Sequence, residues 1–267
     1  MMKKVLVFAV MLALASPSLL AQDFVLKRLE NSPRHHEWVT VKSGDRTVHA
    51  FLAFPEVKNK GLAVVVIHEN RGLTDWVRSV ADQLAEAGYI AIAPDLLSGM
   101  APNGGKTSDF PSGDAAREAI SKVTPEQANA DLNAVADYVA KLPAANGKVA
   151  VAGFCWGGRQ SFRFATNRPS LAAAFVFYGN GPDSSDIARI KAPVYGFYGG
   201  NDDRVNATIP KSAEWMKQAG KTFEPVIYDG AGHGYMRSGE EPDAEAANKK
   251  ARDEGWVRWK NLLKKIG

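Results

Sequence analysis

The stretch Val149-Ala-Val-Ala-Gly-Phe-Cys-Trp-Gly-Gly158 restricts the fold of this chain more than any other. An apolar β-type run from Val149 to Ala152 enters Gly153-Phe154-Cys155-Trp156-Gly157, and a helical pattern follows from Gly158. A strand must therefore reverse sharply into a helix, with glycines flanking the turn where a Cβ would obstruct it. The spacing is G-x-S-x-G with cysteine in the central place, a pattern that lifts the central side chain off a sheet and sets it at a helix N-terminus. Backbone N–H groups there favour a thiolate and the oxyanion of a reacting carbonyl. Taken alone, the pattern equally describes an inert buried cysteine on a glycine-rich turn, so its partners decide its meaning.

Cys155 is the single cysteine in 267 residues. The chain opens with Met1-Met-Lys-Lys4, an apolar run from Val5 to Ala15, then Ser16-Pro-Ser18 and the small residue Ala21, the layout of a cleaved export leader. That apolar run is too short to span a bilayer stably. Cleavage after Ala15 or Ala21 fits, and Ala21 is preferred. The expectation is a leader over 1–21, one domain over 22–267, and a periplasmic or secreted protein with no membrane partner once the leader is removed. A lone thiol in an exported chain has no internal partner for a disulfide, which suggests a use for it. Without Lys3 and Lys4, 31 basic residues face 29 acidic ones, so the net charge of +4 falls to about +2. No basic stripe interleaved with aromatics appears, and nucleic acid is not an expected partner.

Trp38-Val-Thr-Val41, a Ser43-Gly-Asp45 turn and Thr47 to Leu52 predict an antiparallel hairpin. Leu62 to Ile67 is apolar throughout, as in a strand buried on both faces. Thr74 is a candidate N-cap for a helix that presents Trp76, Val80, Leu84 and Ala87 on one face and ends at Gly88. Tyr89 to Ala93 is the next strand. Pro94 to Val123 shows little periodicity and reads as a functional loop or lid. Its Gly105-Lys106-Thr107 resembles the tail of a phosphate-binding loop, but the glycine required five places earlier is Met100, which excludes that motif. Thr124-Pro-Glu-Gln127 caps a helix reaching about Leu142. Strands near 172–178, 193–198 and 223–228 alternate with helices near 158–166, 210–220 and 243–265. The fold class is therefore α/β, a mostly parallel sheet covered by helices on both faces behind an antiparallel N-terminal hairpin.

Function in such sheets gathers at the C-terminal ends of the strands. Three of those ends carry suitable groups: Cys155 after the elbow strand, Asp202-Asp203 after Tyr195–Tyr198, and His233 in a glycine-flanked loop after Val226–Tyr228. Nucleophile, acid, histidine is the chain order of an α/β-hydrolase triad. In such a triad Cys155 attacks a carbonyl, His233 moves the proton, and the aspartate holds the imidazole tautomer.

These motifs resemble the dienelactone hydrolases, cysteine-dependent members of the α/β-hydrolase fold. The resemblance runs from about His36 to the C-terminus through His68-Glu-Asn-Arg-Gly-Leu73, Ala93-Pro-Asp-Leu-Leu97, Gly153-Phe-Cys-Trp-Gly-Gly158, Tyr198-Gly-Gly-Asn-Asp202 and Gly230-Ala-Gly-His233. It implies hydrolysis of a small-molecule ester or lactone through an acyl-thioenzyme, without metal or other cofactor. The D-x-x-V match selects Asp202 over Asp203. The resemblance further implies that Glu69 contacts the resting cysteine and helps ionise it when substrate arrives. A structural bridge from Glu69 to Arg71 is the alternative. The oxyanion hole falls on the backbone N–H groups of Trp156 and Asn70. Arg237, four residues after His233, matches an arginine that pairs with a substrate carboxylate, and a guanidinium suits that bidentate task. The second such arginine of the family falls on Gly99 here, so Arg71, with Arg78 and Arg117, becomes a candidate for the missing charge. Tyr235 and Trp156 are candidate pocket walls or, as aromatics near the elbow, core residues. A monomer or small homo-oligomer is expected. The rival reading is a binding protein that captures an acyl or carboxylate ligand on a hydrolase scaffold without turnover.

Overall fold

The computed structural model describes residues 17–267, with side chains from Phe24 onward. Of the leader expected over 1–21, residues 1–16 lie outside the described residues, and the first helix, α1 (Pro17–Glu30), runs across its expected end at Ala21. Then come β1 (His36–Ser43), β2 (Arg46–Ala53), β3 (Gly61–Ile67), α2 (Asp75–Glu86), β4 (Ile90–Pro94), α3 (Gly113–Ile120), α4 (Pro125–Ala140) and β5 (Ala145–Phe154). The second half runs α5 (Trp156–Asn167), β6 (Ala173–Phe177), α6 (Ser184–Ile187), β7 (Val194–Gly199), α7 (Asp203–Asn206), α8 (Ile209–Gln218), β8 (Phe223–Tyr228), α9 (Tyr235–Ser238) and α10 (Ala246–Ile266).

The eight strands form one sheet in the order β1-β2-β4-β3-β5-β6-β7-β8. The β1–β2 hairpin and the β2–β4 pair are antiparallel, and all pairs from β4 through β8 are parallel. The two-residue side-chain period explains the unbroken apolar run of β3. Leu62, Val64 and Val66 belong to the core on one face, with α1, α2 and α10, while Ala63, Val65 and Ile67 belong to the other, with α4, α5 and α8.

Residues 94–123 are not an open loop. Asp95, buried at the end of β4, accepts from Leu97 N (3.0 Å), Thr107 N (2.8 Å) and Thr107 Oγ1 (2.7 Å), and Thr107 Oγ1 accepts in turn from Leu73 N (3.1 Å). Helix α3, capped by Ser112 Oγ on Ala115 N (3.1 Å), buries Ala116, Ala119 and Ile120 against Leu97, Val123 and Ala128. The segment is a small pinned subdomain beside the elbow. Its helix escaped the sequence reading because two turns are too short to show a period.

Beneath the elbow lies an aromatic floor. Phe154 stacks on Phe177 (centroids 4.6 Å apart) and meets the edges of Trp76 (5.0 Å) and Trp259 (6.1 Å). Trp259 is fully buried and also packs on Phe177 (4.9 Å) and Trp256 (4.9 Å), tying α10 to the strand that carries Cys155. Trp259→Ala is expected to cost about 3–5 kcal/mol, read as a lowered urea midpoint at unchanged slope. A loss below about 1.5 kcal/mol, the usual limit of a tolerated core swap, would mean that the floor does not support the elbow.

Candidate active site

Strand β5 ends at Phe154 and α5 begins at Trp156, leaving Cys155 in the turn with φ 54° and ψ −112°. A non-glycine residue there stores about 1–3 kcal/mol of backbone strain and persists only where its surroundings dictate it. Backbone crowding dictates it here. A Cβ on Gly153 would strike the Gly157 carbonyl, and one on Gly157 would strike the His68 carbonyl at the end of β3. Cys155 N donates to Phe177 O at 3.0 Å, locking the turn onto β6. The helix starts earlier than the sequence suggests, at Trp156, so the thiol stands directly at its N-terminus. The N–H groups of Trp156 and Asn70 donate to no backbone or side-chain oxygen among the described residues, and that of Trp156 is turned to the Cys155 sulfur.

Asn70 and Glu69 are positioned by His68. This buried imidazole donates from Nδ1 to Glu69 O (2.7 Å), accepts at Nε2 from Leu96 N (3.2 Å), and stacks on the Trp156 ring (5.5 Å, 10°). Those two bonds require the neutral Nδ1–H tautomer, and burial pushes the His68 pKa down in agreement. The Trp156 ring is thereby spent on packing.

His233 Nδ1 lies 2.5 Å from Asp202 Oδ2. The carboxylate accepts, so Nδ1 donates and Nε2 is left with a lone pair to take a proton. Asp202 is buried, and its Oδ1 also accepts from Val205 N (3.4 Å), capping α7, whereas Asp203 is exposed. Cys155, His233, Glu69, Asn70, Arg71 and Arg237 all line one cavity of about 710 Å³. Among the described residues the thiol makes no hydrogen bond to the imidazole: sulfur and ring share the cavity without being joined.

Glu69 pairs with Arg237 (Nε to Oε2, 3.0 Å), not with its neighbour Arg71, and accepts from Tyr178 Oη at 3.5 Å. Burial and then the Glu69 carboxylate push the Cys155 thiol up to about 11, against the pull of the Trp156 N–H and the Arg204 guanidinium. Arg78 is turned away onto Asp75 and the rings of Trp38 and Phe51. Arg71, Arg117 and Arg204 line the cavity with no ion pair among the described residues.

Tyr235 does not wall the cavity. It is fully buried against Tyr178 (5.6 Å) and Tyr228 (5.4 Å), because the left-handed turn at Gly234 (φ 78°) sends the next residue inward. Sequence reasoning missed Tyr178, a buried residue just past the end of β6 that bonds Glu69 and meets the His233 ring edge-on (5.1 Å). Its place at a strand end was the available signal. It also missed Arg204, two residues beyond the acid that it identified.

Fold and site together define an α/β-hydrolase with cysteine at the elbow position. The model of the dienelactone hydrolase family matches residues 48–267. A protein of Escherichia coli (strain K12) named "Putative carboxymethylenebutenolidase" is 31% identical over 246 residues, covering 86% of this chain and 87% of its own. One of Salmonella typhimurium with the same name is 34% identical over 226 residues, covering 78% of this chain and 79% of its own. The solved structure of a "Putative Dienelactone Hydrolase" from Klebsiella pneumoniae superposes with a TM-score of 0.75 at 26% identity, over 86% of this chain and 98% of that one. The chain belongs to the dienelactone hydrolase family and is a hydrolase of ester or lactone bonds.

A thiol held this high should alkylate slowly. Reaction of Cys155 with iodoacetamide is expected to climb about tenfold per pH unit between pH 8 and 10, with no plateau. Glu69→Gln should speed the reaction at pH 8, since the largest cause of the raised pKa after burial is gone. A wild-type plateau centred on the free-cysteine value of about 8.5 would contradict this electrostatic picture.

Proposed function

We propose that the protein is an exported hydrolase that cleaves its ester or lactone through an acyl-thioenzyme on Cys155, with His233 as base and Asp202 as its orienting acid. The observation that carries the reading is the 2.5 Å His233–Asp202 bond beside a cavity shared with a positive-φ elbow cysteine. The leader pattern over 1–21 supports export, with Gln22 as the first residue after cleavage.

The chemistry follows from the groups present. The resting thiol is neutral and lines the cavity that would receive the substrate carbonyl. The thiol proton passes to His233 Nε2, the thiolate adds to the carbonyl carbon, and the oxyanion meets the Trp156 and Asn70 N–H groups. Collapse breaks the C–O bond, and the imidazolium returns the proton to the leaving alkoxide, which stays tethered when the substrate is a lactone. Water, deprotonated by the same imidazole, then hydrolyses the thioester and restores the thiol. Asp202 stabilises the imidazolium throughout. Arg237, Arg71, Arg117 and Arg204 make the cavity a favourable place for a substrate carboxylate. Glu69, which helps to hold the resting thiol neutral, is bonded to Arg237, so a carboxylate that drew Arg237 away would also change the surroundings of the thiol.

Cys155→Ala and Asp202→Asn should keep the wild-type melting temperature. Turnover of a panel of neutral and anionic lactones and aryl esters should fall by about 10⁴-fold in Asp202→Asn and by about 10⁶-fold in Cys155→Ala, as for other triads whose orienting acid or nucleophile is removed. Wild-type turnover by Cys155→Ala would refute the nucleophile. A preference for anionic members that disappears in Arg237→Ala would support the carboxylate reading, and indifference to charge in the wild type would oppose it.

A further inference from the structure

The family match begins at residue 48, yet the cavity that holds Cys155 is walled partly by residues far upstream. Phe24 and Val25 of α1 both line it. Val25 and Leu29, one turn apart on the same helix face, are buried in the core that contains Trp76, Val80 and Leu84 of α2. This contact lays α1 along α2 and brings its Phe24 edge to the cavity.

A polar clamp fixes the helix at the site. Glu240, whose side chain is almost fully buried, pairs with Arg28 of α1 and with Arg252 of α10 (3.1 Å), and accepts from Trp76 Nε1 (3.0 Å) and Gln83 Nε2 (3.2 Å) of α2. The Arg28 guanidinium in turn lies over the Phe24 ring, 5.1 Å from its centroid. Glu240 stands three residues after Arg237, just past α9, and itself lines the cavity. The clamp therefore binds α1 to the segment that presents His233 and Arg237. A buried carboxylate with four donors leaves little room for α1 to shift without stranding charge.

Phe24 keeps 38% of its surface exposed in spite of this anchoring, and half-buried Phe110, from the pinned 94–123 segment, lines the same cavity. A cavity of about 710 Å³ lies in the range that encloses drug-sized molecules. We propose that α1 is a specificity wall: Phe24, with Phe110, receives the apolar part of the substrate, so that this enzyme favours esters or lactones carrying an aryl or extended alkyl group over minimal ones. The proposal rests on the ester hydrolysis described above and adds the substrate class to it. Phe24 acts by contact with substrate away from the reacting atoms.

Leu26 provides the control, being on the same helix and equally exposed at 38% but outside the cavity lining. The measurement is the ratio of kcat/KM for phenyl octanoate to kcat/KM for methyl acetate, in which intrinsic reactivity cancels between variants. Phe24→Ala should lower the ratio about tenfold, the effect expected of one lost apolar contact surface. Leu26→Ala should leave it unchanged, with melting temperatures matched. Equal ratios in all three proteins, or equal falls in both variants, would overturn the wall. Calorimetric binding of 8-phenyloctanoate, which cannot be hydrolysed, tests the wall separately from turnover. Binding about tenfold weaker in Phe24→Ala alone supports it even where the wild type turns over no ester, and equal binding by all three proteins removes it. Absence of ester turnover in the wild type would instead fall on the hydrolytic reading.

Discussion

The whole site depends on a close backbone approach that only glycine allows. At the elbow the carbonyls of Gly157, His68 and Phe177 occupy the space that Cβ atoms on Gly153, Gly157 and Gly158 would need. That crowding forces Cys155 to φ 54° and leaves its side chain nowhere to go but outward, at the mouth of a helix. The strain is sustained from below by the stacked rings of Phe154 and Phe177 and by Trp259, and from the side by the Cys155 N to Phe177 O bond. The same approach draws the ends of β3, β5 and β6 together, so that His68, Cys155 and Tyr178 meet within one small volume.

Opposed electrostatic effects then decide the state of the thiol. Helix N–H groups and Arg204 favour the thiolate, while burial and Glu69 disfavour it, and the second pair prevails. A thiol at about 11 costs about 3 kcal/mol more to ionise than one at the free-cysteine value. Such a resting enzyme has a poorly reactive sulfur, which protects it from oxidants that attack thiolates. Glu69 is thereby the pivot. It is held by Arg237 and Tyr178, both of which belong to the surroundings of His233, so whatever enters the cavity and changes those contacts also changes the thiol.

Much of this arrangement was legible along the chain because it depends on local signals. The apolar run of β3, the glycine spacing of the elbow and the order Cys155, Asp202, His233 each carry their meaning within a few residues. What was illegible depends on contacts between distant segments. Helix α3 has no visible period, and its order comes from the burial of Ala116, Ala119 and Ile120 against Leu97, Val123 and Ala128. Tyr178 reads as one more apolar residue of β6 until Glu69 is brought beside it. Tyr235 was expected in the cavity because it neighbours His233, but the backbone twist at Gly234 turns it inward. The wall formed by α1 has no signature at all, since Phe24 acquires its place only through Val25, Leu29 and the Arg28–Glu240 pair.

The central claim is that Cys155 is covalently acylated during turnover. It is tested most directly by quenching the enzyme with acid during steady-state hydrolysis of a slow aryl ester and weighing the intact protein and its peptides. The account predicts one added acyl mass, located on the peptide carrying Cys155 and absent from Cys155→Ala. Continued turnover with no acyl mass, or with that mass on any other residue, would contradict it.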